Sequence, residues 1–253
     1  MSKIALVTGV SRRIGIAAAV ARRLAATGHR LLLTGLPAYD AGQPYGGDPD
    51  GVPALLAELG PAATYLPADL TDPAAPGRLV AAARERYGAL DAVAAVHAYS
   101  TATPLGSLDA AEIDRHLVVN VRATMLLVEA YAAGYDQARG GGRIVLFSSG
   151  QRLGPMPDEL AYAASKAGVE LLTRSFAALL ARRGITVNCV NPGPTDTGWA
   201  DPDLFERVRA RFPTGRWGTP DDAARLVEWL CSPAAEWITG QVIDSEGGFD
   251  RYG

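Results

Sequence analysis

The chain predicts a doubly wound α/β fold, a parallel sheet of about seven strands with helices on both faces. Two observations carry this. Short runs rich in Val, Ile, Leu and Ala alternate with longer Ala/Leu/Arg segments of helical period, and parallel strands need such crossover helices between them. The short runs are nearly continuous in apolar character rather than alternating, as strands covered on both faces must be.

Taken in order, the strands fall at Ile4–Val7, Arg30–Thr34, Ala63–Pro67, Ala92–Val96, Arg143–Phe147, Thr186–Val190 and Gln241–Asp244. Helical periodicity covers Ile16–Ala26, Pro73–Tyr87, Leu108–Ala133, Ala161–Arg182 and Pro220–Leu230. Gly28, Gly60, Gly88 and Gly184 stand where helix C-terminal glycines belong. The segment Leu36–Pro53 breaks the rhythm. It carries Gly42, Gly46, Gly47 and Gly51 with Pro37, Pro44, Pro49 and Pro53, too many breakers for a helix, and leaves only Ala54–Leu59 as a short helix. A loop of that length inside a compact unit is usually functional or mobile. Asp48 and Asp50 within it lack further ligands and read as a solvated turn rather than a metal loop. No repeat or linker divides the chain, so residues 1–253 read as one domain.

Composition excludes several classes. A formal charge of −3 leaves no basic footprint for nucleic acid. Cys189 and Cys231 match no metal or redox spacing and read as buried thiols of a reducing compartment. The first strand begins at once, with no targeting stretch before it, and no segment approaches the roughly 18 apolar residues of a membrane span. A cytoplasmic protein with no bound metal and no membrane contact is expected.

Two local patterns carry chemistry. Thr8-Gly-Val-Ser-Arg-Arg-Ile-Gly-Ile-Ala17 joins the first strand to a helix. A glycine turn at a helix N-terminus lets backbone N–H groups approach an anion such as a pyrophosphate, although a purely structural turn has the same look without a strict G-x-G-x-x-G. The second pattern is Tyr162 with Lys166, one of only two lysines, the other being Lys3. Residues four apart share a helix face, where an ammonium can stabilise a tyrosinate and make the phenol a proton donor near neutral pH. Arginine would not substitute easily. A solvated i,i+4 pair is the other reading of the spacing.

With Asn120 and Ser149 added, Ser149 preceding Tyr162 at the right offset, the chain from Lys3 to about Gly248 resembles the short-chain dehydrogenase/reductases. Among these it is similar to 3-oxoacyl-[acyl-carrier-protein] reductases. The resemblance implies a Rossmann-type fold opening on T-G-x-x-x-G-x-G. Two layings are open: Arg13 in place of the middle glycine, or, preferred here, Gly15-Ile16-Ala17 as the family's G-I-G after a longer loop. It implies cofactor contacts from Gly9, Ser11, Arg12, Arg13, Gly15 and Ile16, from Asp69 and Leu70 at the adenine, and from Tyr162 and Lys166 at the nicotinamide ribose. The turn Pro192-Gly193-Pro194-Thr195-Asp196-Thr197 matches the one that holds the carboxamide, with Thr195 and Thr197 as hydroxyl donors. Ala95-Val96-His97-Ala98 replaces the usual Asn-Asn-Ala-Gly; His97 and Ala98 then border the cofactor, with His97 packing rather than catalysing. An NAD site wants a carboxylate about 20 residues beyond the glycine turn, where this chain has Gly35 and no acid before Asp40. Arg12 and Arg13 favour NADP(H) over NAD(H).

For the reaction, the resemblance implies a tetrad of Asn120, Ser149, Tyr162 and Lys166. Tyr162 would protonate a developing alkoxide, Ser149 would hydrogen-bond it, Lys166 would lower the phenol's pKa, and Asn120 would hold a water linking Lys166 to solvent. Residues 196–217 correspond to a substrate lid. Gln151, Arg152 and Trp199 are candidate substrate contacts; Arg152 reads first as a surface arginine and otherwise as facing an anionic group such as a carrier's phosphopantetheine. Trp199, Phe205 and Trp217 read equally as pocket wall or as core beneath the lid. The expected partner is a small-molecule carbonyl or alcohol, free or carrier-bound, and the helices Leu108–Ala133 and Ala161–Arg182 resemble those that pair in the family's tetramers, which implies a homotetramer (or homodimer). Three activities fit: an NADPH-dependent ketone or 3-oxoacyl reductase, an NAD(P)⁺-dependent alcohol or sugar dehydrogenase, and a dinucleotide-sensing regulator without turnover.

Overall fold

The computed structural model describes residues 2–252. Seven strands, β1 (Ile4–Thr8), β2 (Arg30–Thr34), β3 (Ala63–Tyr65), β4 (Ala92–Ala95), β5 (Gly142–Phe147), β6 (Ile185–Asn191) and β7 (Val242–Asp244), form one parallel sheet in the order β3-β2-β1-β4-β5-β6-β7. The chain winds outward from β1 in one direction, then returns to β4 and winds in the other. Strand order therefore reverses between β1 and β4, and such a switch point opens a crevice at the carboxyl ends of the strands. Register keeps that edge level: Thr8 pairs with Thr34 on one side and with Ala95 on the other.

Side-chain alternation divides the core into two layers. On one face Ile4, Leu6, Leu32 and Leu146 pack under α4 (Ala75–Tyr87), α6 (Ala123–Ala133) and α7 (Leu160–Leu180). On the other, Ala5, Val7, Leu31 and Leu33 pack under α1 (Ile16–Ala26) and α9 (Pro220–Cys231). Both helical layers are alanine-rich, which lets helices lie close to the sheet. Gly28, Gly60, Gly88 and Gly184 all take positive φ after helices, the conformation an L side chain disfavours.

Three sequence expectations are corrected. The third strand ends at Tyr65, short of Pro67, although Leu66 N and Ala68 N still donate to Leu33 O and Gly35 O. The expected helix Leu108–Ala133 is α5 (Ala110–His116), a π-helical stretch Leu117–Arg122, and α6. The breaker-rich segment holds α2 (Pro37–Ala41), and α3 (Gly51–Leu59) starts three residues earlier than Ala54. Prolines are tolerated there because Pro37 is the first helical residue and Pro53 the third, positions whose N–H groups have no intrahelical acceptor. The segment 196–217 contains one further helix, α8 (Pro202–Arg209). No helix among the described residues is long and apolar enough to cross a membrane.

Candidate active site

The glycine turn lies where β1 ends at the switch point. Gly9 has φ 81°, and a Cβ there would stand 2.9 Å from the His97 backbone nitrogen, so glycine is required for the crossing of two chain segments. Gly15 is the N-cap of α1, with no side-chain cap and no acid in the first turn. The uncapped N–H groups of Ile16 and its successors form a donor set that suits the diphosphate of a dinucleotide. Among the described residues no non-glycine has positive φ, so neither Arg12 nor Arg13 needs a glycine's freedom. The turn therefore closes with ordinary backbone conformations at both arginines.

The two arginines part company. Arg13 turns outward to Asp48, with Nε 3.0 Å and backbone N 3.0 Å from Oδ2. These bonds hold the Asp48 carboxyl below its ordinary range, so Asp48 is a loop anchor and not a solvated turn. Arg12 instead lies 4.6 Å over the Tyr45 ring and makes no ion pair among the described residues. A Cβ on Gly198 would come within 3.4 Å of its Nη2. Ser11 donates a short hydrogen bond to Asp40, a buried carboxylate, and so is not open to a phosphate.

Other expected cofactor contacts are sorted by burial. Asp69 is exposed and accepts from Thr71 N–H and Oγ1 at 2.8 Å, whereas Leu70 is buried in the core rather than turned to the cleft. His97 is buried, its Nδ1 2.7 Å from Thr8 Oγ1 and its Nε2 3.3 Å from Thr124 Oγ1. Burial, and then the Lys166 charge, push it down to about 3, a neutral packing group. Ala98 beside it is half-buried. Gly193 has φ 64° and its N–H donates to Asn191 Oδ1 at 3.1 Å, following Pro192. Thr195 is buried with its hydroxyl turned to the carbonyl oxygens of Pro192 and Gly193, 3.4 and 3.2 Å away, so the expected outward donor is directed inward; Thr197 is half-buried.

The structure brings Asn120, Ser149, Tyr162 and Lys166 to one edge of the sheet. Lys166 is buried beneath the turn after β5, with Nζ 2.9 Å from the Phe147 carbonyl oxygen and 5.6 Å from the Tyr162 ring centroid. Burial pulls its pKa down to about 8. Ser148 donates to Glu170 Oε1 at 2.7 Å, which leaves Ser149 as the hydroxyl bonded to the Tyr162 phenol. That bond lowers the phenol's pKa, but burial and then the Glu159 carboxylate raise it by more. The expected acidification of Tyr162 by Lys166 is therefore not the balance this arrangement strikes.

Asn120 is held by three hydrogen bonds. Its Oδ1 accepts from Tyr99 N–H at 2.7 Å, and its Nδ2 donates to Tyr99 O and Ser165 Oγ, both at 2.9 Å. The amide is thus a clamp between the strand β4 exit and the turn of α7 that carries Tyr162 and Lys166, with both Nδ2 donors engaged and one Oδ1 lone pair left over. The π-helical turn sets the side chain at this depth; such turns recur at functional sites.

The expected substrate contacts are largely occupied. Gln151 Nε2 donates to Ser148 Oγ at 3.0 Å. Arg152 is paired closely with Asp244 and lies 3.6 Å from Glu170, so it is not an open anion receptor. Trp217 is buried and stacks on Phe205 at 4.9 Å, a core pair, whereas Trp199 is 46% exposed and bonds Thr195 O through Nε1 at 3.1 Å.

Three residues near the cleft were not singled out from the sequence. Tyr39 of α2 exchanges hydrogen bonds with the Ser100 backbone at 2.9 and 3.0 Å and lies 5.5 Å from the Tyr99 ring. His116 continues this line, 4.8 Å from Tyr99 and 6.4 Å from Tyr162. Glu159, three residues before Tyr162, has its carboxyl raised by burial and by Asp158. Helical spacing to Tyr162 was a usable signal for Glu159; a breaker-rich loop gave none for Tyr39. Among the described residues no group of His, Cys, Asp or Glu is placed to hold a metal ion.

Comparison with known proteins agrees with this architecture. A family model for enoyl-(acyl carrier protein) reductase matches residues 9–250. The uncharacterized oxidoreductase YjdA of Bacillus subtilis is 39% identical over 98% of this chain and 97% of its own. The short-chain dehydrogenase/reductase FrzI of Cladobotryum is 35% identical over 98% and 96%. The crystal structure of a dehydrogenase/reductase from Sinorhizobium meliloti superposes with TM-score 0.86 at 35% identity, covering 98% of this chain and 95% of that one. Matched along nearly its whole length in both sequence and backbone, the chain belongs to the short-chain dehydrogenase/reductases and is an oxidoreductase.

Proposed function

We propose that this protein is an NADPH-dependent reductase of small ketone or 3-oxoacyl-type carbonyls, working as a homotetramer. The observation that carries the reading is the meeting of Ser149, Tyr162 and Lys166 at the strand edge that also holds the uncapped α1 N-terminus. The bound dinucleotide supplies the hydride that adds to the carbonyl carbon. The protein's part is electrostatic and protonic. Tyr162 donates its proton to the carbonyl oxygen as negative charge grows there, and the Ser149 hydroxyl donates a hydrogen bond to the same oxygen. Both contacts strengthen only as the alkoxide develops, so they lower the barrier rather than merely bind substrate. A positioned acid of this kind contributes about 10²–10⁴-fold. Lys166 has one acceptor, Phe147 O, for its three donors, which leaves capacity to bind ribose hydroxyls and to restore the proton to Tyr162. Asn120 holds the helix turn that carries both.

NADP(H) is favoured by Arg12, which has no acidic partner among the described residues, and by the inward orientation of Asp40 onto Ser11. The neutralisation of Arg152 by two carboxylates favours a free substrate over a carrier-bound one. Fluorescence titration is expected to give tighter binding of NADPH than NADH. A carbonyl-reduction screen with wild type and Tyr162→Phe is expected to show about 10²-fold or greater loss of kcat with NADPH affinity kept. Equal turnover by the two proteins would remove Tyr162 from the role of acid.

A further inference from the structure

The segment that follows β7 packs against the loops that follow β5 and β6. Asn191 holds the Gly193 N–H through Oδ1 at 3.1 Å, and through Nδ2 it donates to Glu246 Oε1 at 2.8 Å and Asp244 Oδ1 at 3.0 Å. Glu246 lies so close to this turn that a Cβ on Gly193 would stand 2.9 Å from its Cβ. Glu246 is paired in turn with Arg251, and both side chains are largely buried, 9% and 16% exposed. The Arg251 guanidinium occupies the space a side chain at Gly150 would need, directly after Ser149, and a Cβ on Gly154 would come within 3.2 Å of its Cδ. Tyr252 adds a hydrogen bond from its hydroxyl to Leu153 O at 3.0 Å. Phe249 lies 5.3 Å beneath the Arg251 guanidinium and 5.0 Å from Phe212 of the 196–217 segment.

We infer that Arg251, braced by Glu246, is a positioning residue that fixes the Ser149–Gly154 loop against the Asn191–Gly193 turn. Its consequence for activity rests on the reductase reading above. The physical reason is register. Ser149 sits in an irregular loop after β5, and Gly193 in another after β6; the sheet aligns the strands but not the loops beyond them. A buried ion pair within the segment after β7, wedged against both loops, holds one geometry because breaking it leaves an uncompensated charge out of water. A displacement of about 1 Å at a reacting group is enough to cost on the order of 10²-fold in rate. Gly150 belongs to the same device, since only a residue without a side chain leaves room for the guanidinium.

The test uses the full chain and has two readouts. In cofactor-free protein, hydrogen exchange is expected to quicken at least about tenfold over residues 149–154 in Arg251→Ala, with α1 and β1 unchanged; Arg251→Lys is expected to restore part of the protection. With a carbonyl substrate from the reduction screen, Arg251→Ala is expected to lower kcat about 10- to 100-fold while NADPH affinity stays within about threefold. In a Ser149→Ala background the same substitution is expected to cost less than about threefold, because its effect passes through Ser149. Unchanged exchange over 149–154, or an equal loss of kcat in both backgrounds, overturns the inference. If Arg251→Ala does not fold, Glu246→Gln interrupts the same pair and is held to the same outcomes. Absence of any turnover by wild type would sink the reductase reading alone, and the exchange measurement would still decide the brace.

Discussion

At the scale of single residues, the chemistry depends on what surrounds one phenol. Tyr162 is held above its ordinary pKa first by burial and then by Glu159, against a hydrogen bond from Ser149. Tyr39, also close enough to act on it, pushes in the same direction. A high pKa keeps the proton on Tyr162 for carbonyl reduction, and it hinders the reverse reaction, in which the phenol must first lose that proton. In the proposed reductase, Glu159 therefore favours the protonated, donating form of Tyr162. The sign follows directly: removing its negative charge makes the tyrosinate less costly and lowers the phenol's pKa. Glu159→Gln is expected to move the rising limb of the alcohol-oxidation pH profile to lower pH, with the Lys166 charge and the Ser149 bond unaltered. A profile superimposable on wild type would show that Glu159 does not act on Tyr162.

At the scale of elements, α7 does two jobs with its two faces. Its inner face buries Ser165, Lys166, Val169 and Thr173; its outer face leaves Leu171 and Leu179 each 73% exposed. The neighbouring layer exposes Leu117 and Met125 on the side away from the sheet. We propose that these side chains form the assembly surface of the expected homotetramer. Light scattering is expected to give a tetramer of the 26.5 kDa chain for wild type and a smaller species for the Leu171→Glu, Leu179→Glu double variant. An unchanged mass in the variant places the interface elsewhere. Elements like α7 were legible in the sequence because their apolar period is long and their ends are marked by glycine. The Tyr162–Lys166 pair was legible too, since helical spacing alone fixes a shared face. Leu117–Arg122 was not: a π turn inserts a residue into the ladder without a composition of its own, so the periodicity reads as one continuous helix. Nor was the separation of Arg12 from Arg13, which depends on Asp48 returning from a loop 35 residues away. Arg152 escaped for the same reason. Its partners Asp244 and Glu170 come from another strand and another helix, and pairing between distant elements leaves no local trace.

At the scale of the whole molecule, the reversal of strand order that opens the cleft also creates a seam that must be filled. Between the ends of β1 and β4 the chain places His97, bonded to Thr8 on one side and Thr124 on the other. An imidazole here joins β1 to α6 across the switch point without adding charge near Lys166, whose ammonium already opposes protonation. The arrangement makes stability depend on pH. Above about 6.5 the ring is neutral in both folded and unfolded chains, and its contacts contribute fully. Between about 6.5 and the folded value of about 3, the unfolded chain binds a proton that the folded one refuses, so stability falls as pH falls. The slope approaches about 1.4 kcal/mol per pH unit. His29, also lowered by burial, tilts the curve the same way but retains more contact with water, whereas carboxylates such as Asp91, held low by Arg139 and its backbone bond, act only in stronger acid. Urea unfolding between pH 7.5 and 5 covers the range in which the histidines act, and comparison with a His97 variant separates its share from those of Glu159, whose carboxyl is raised, and Lys166, lowered to about 8. His97→Asn is expected to be less stable than wild type at pH 7.5, having lost a bridging ring, and to lose less further stability on acidification. Parallel curves for the two proteins would mean that His97 titrates alike in the folded and unfolded chains, so that the seam admits its charge in acid at no cost.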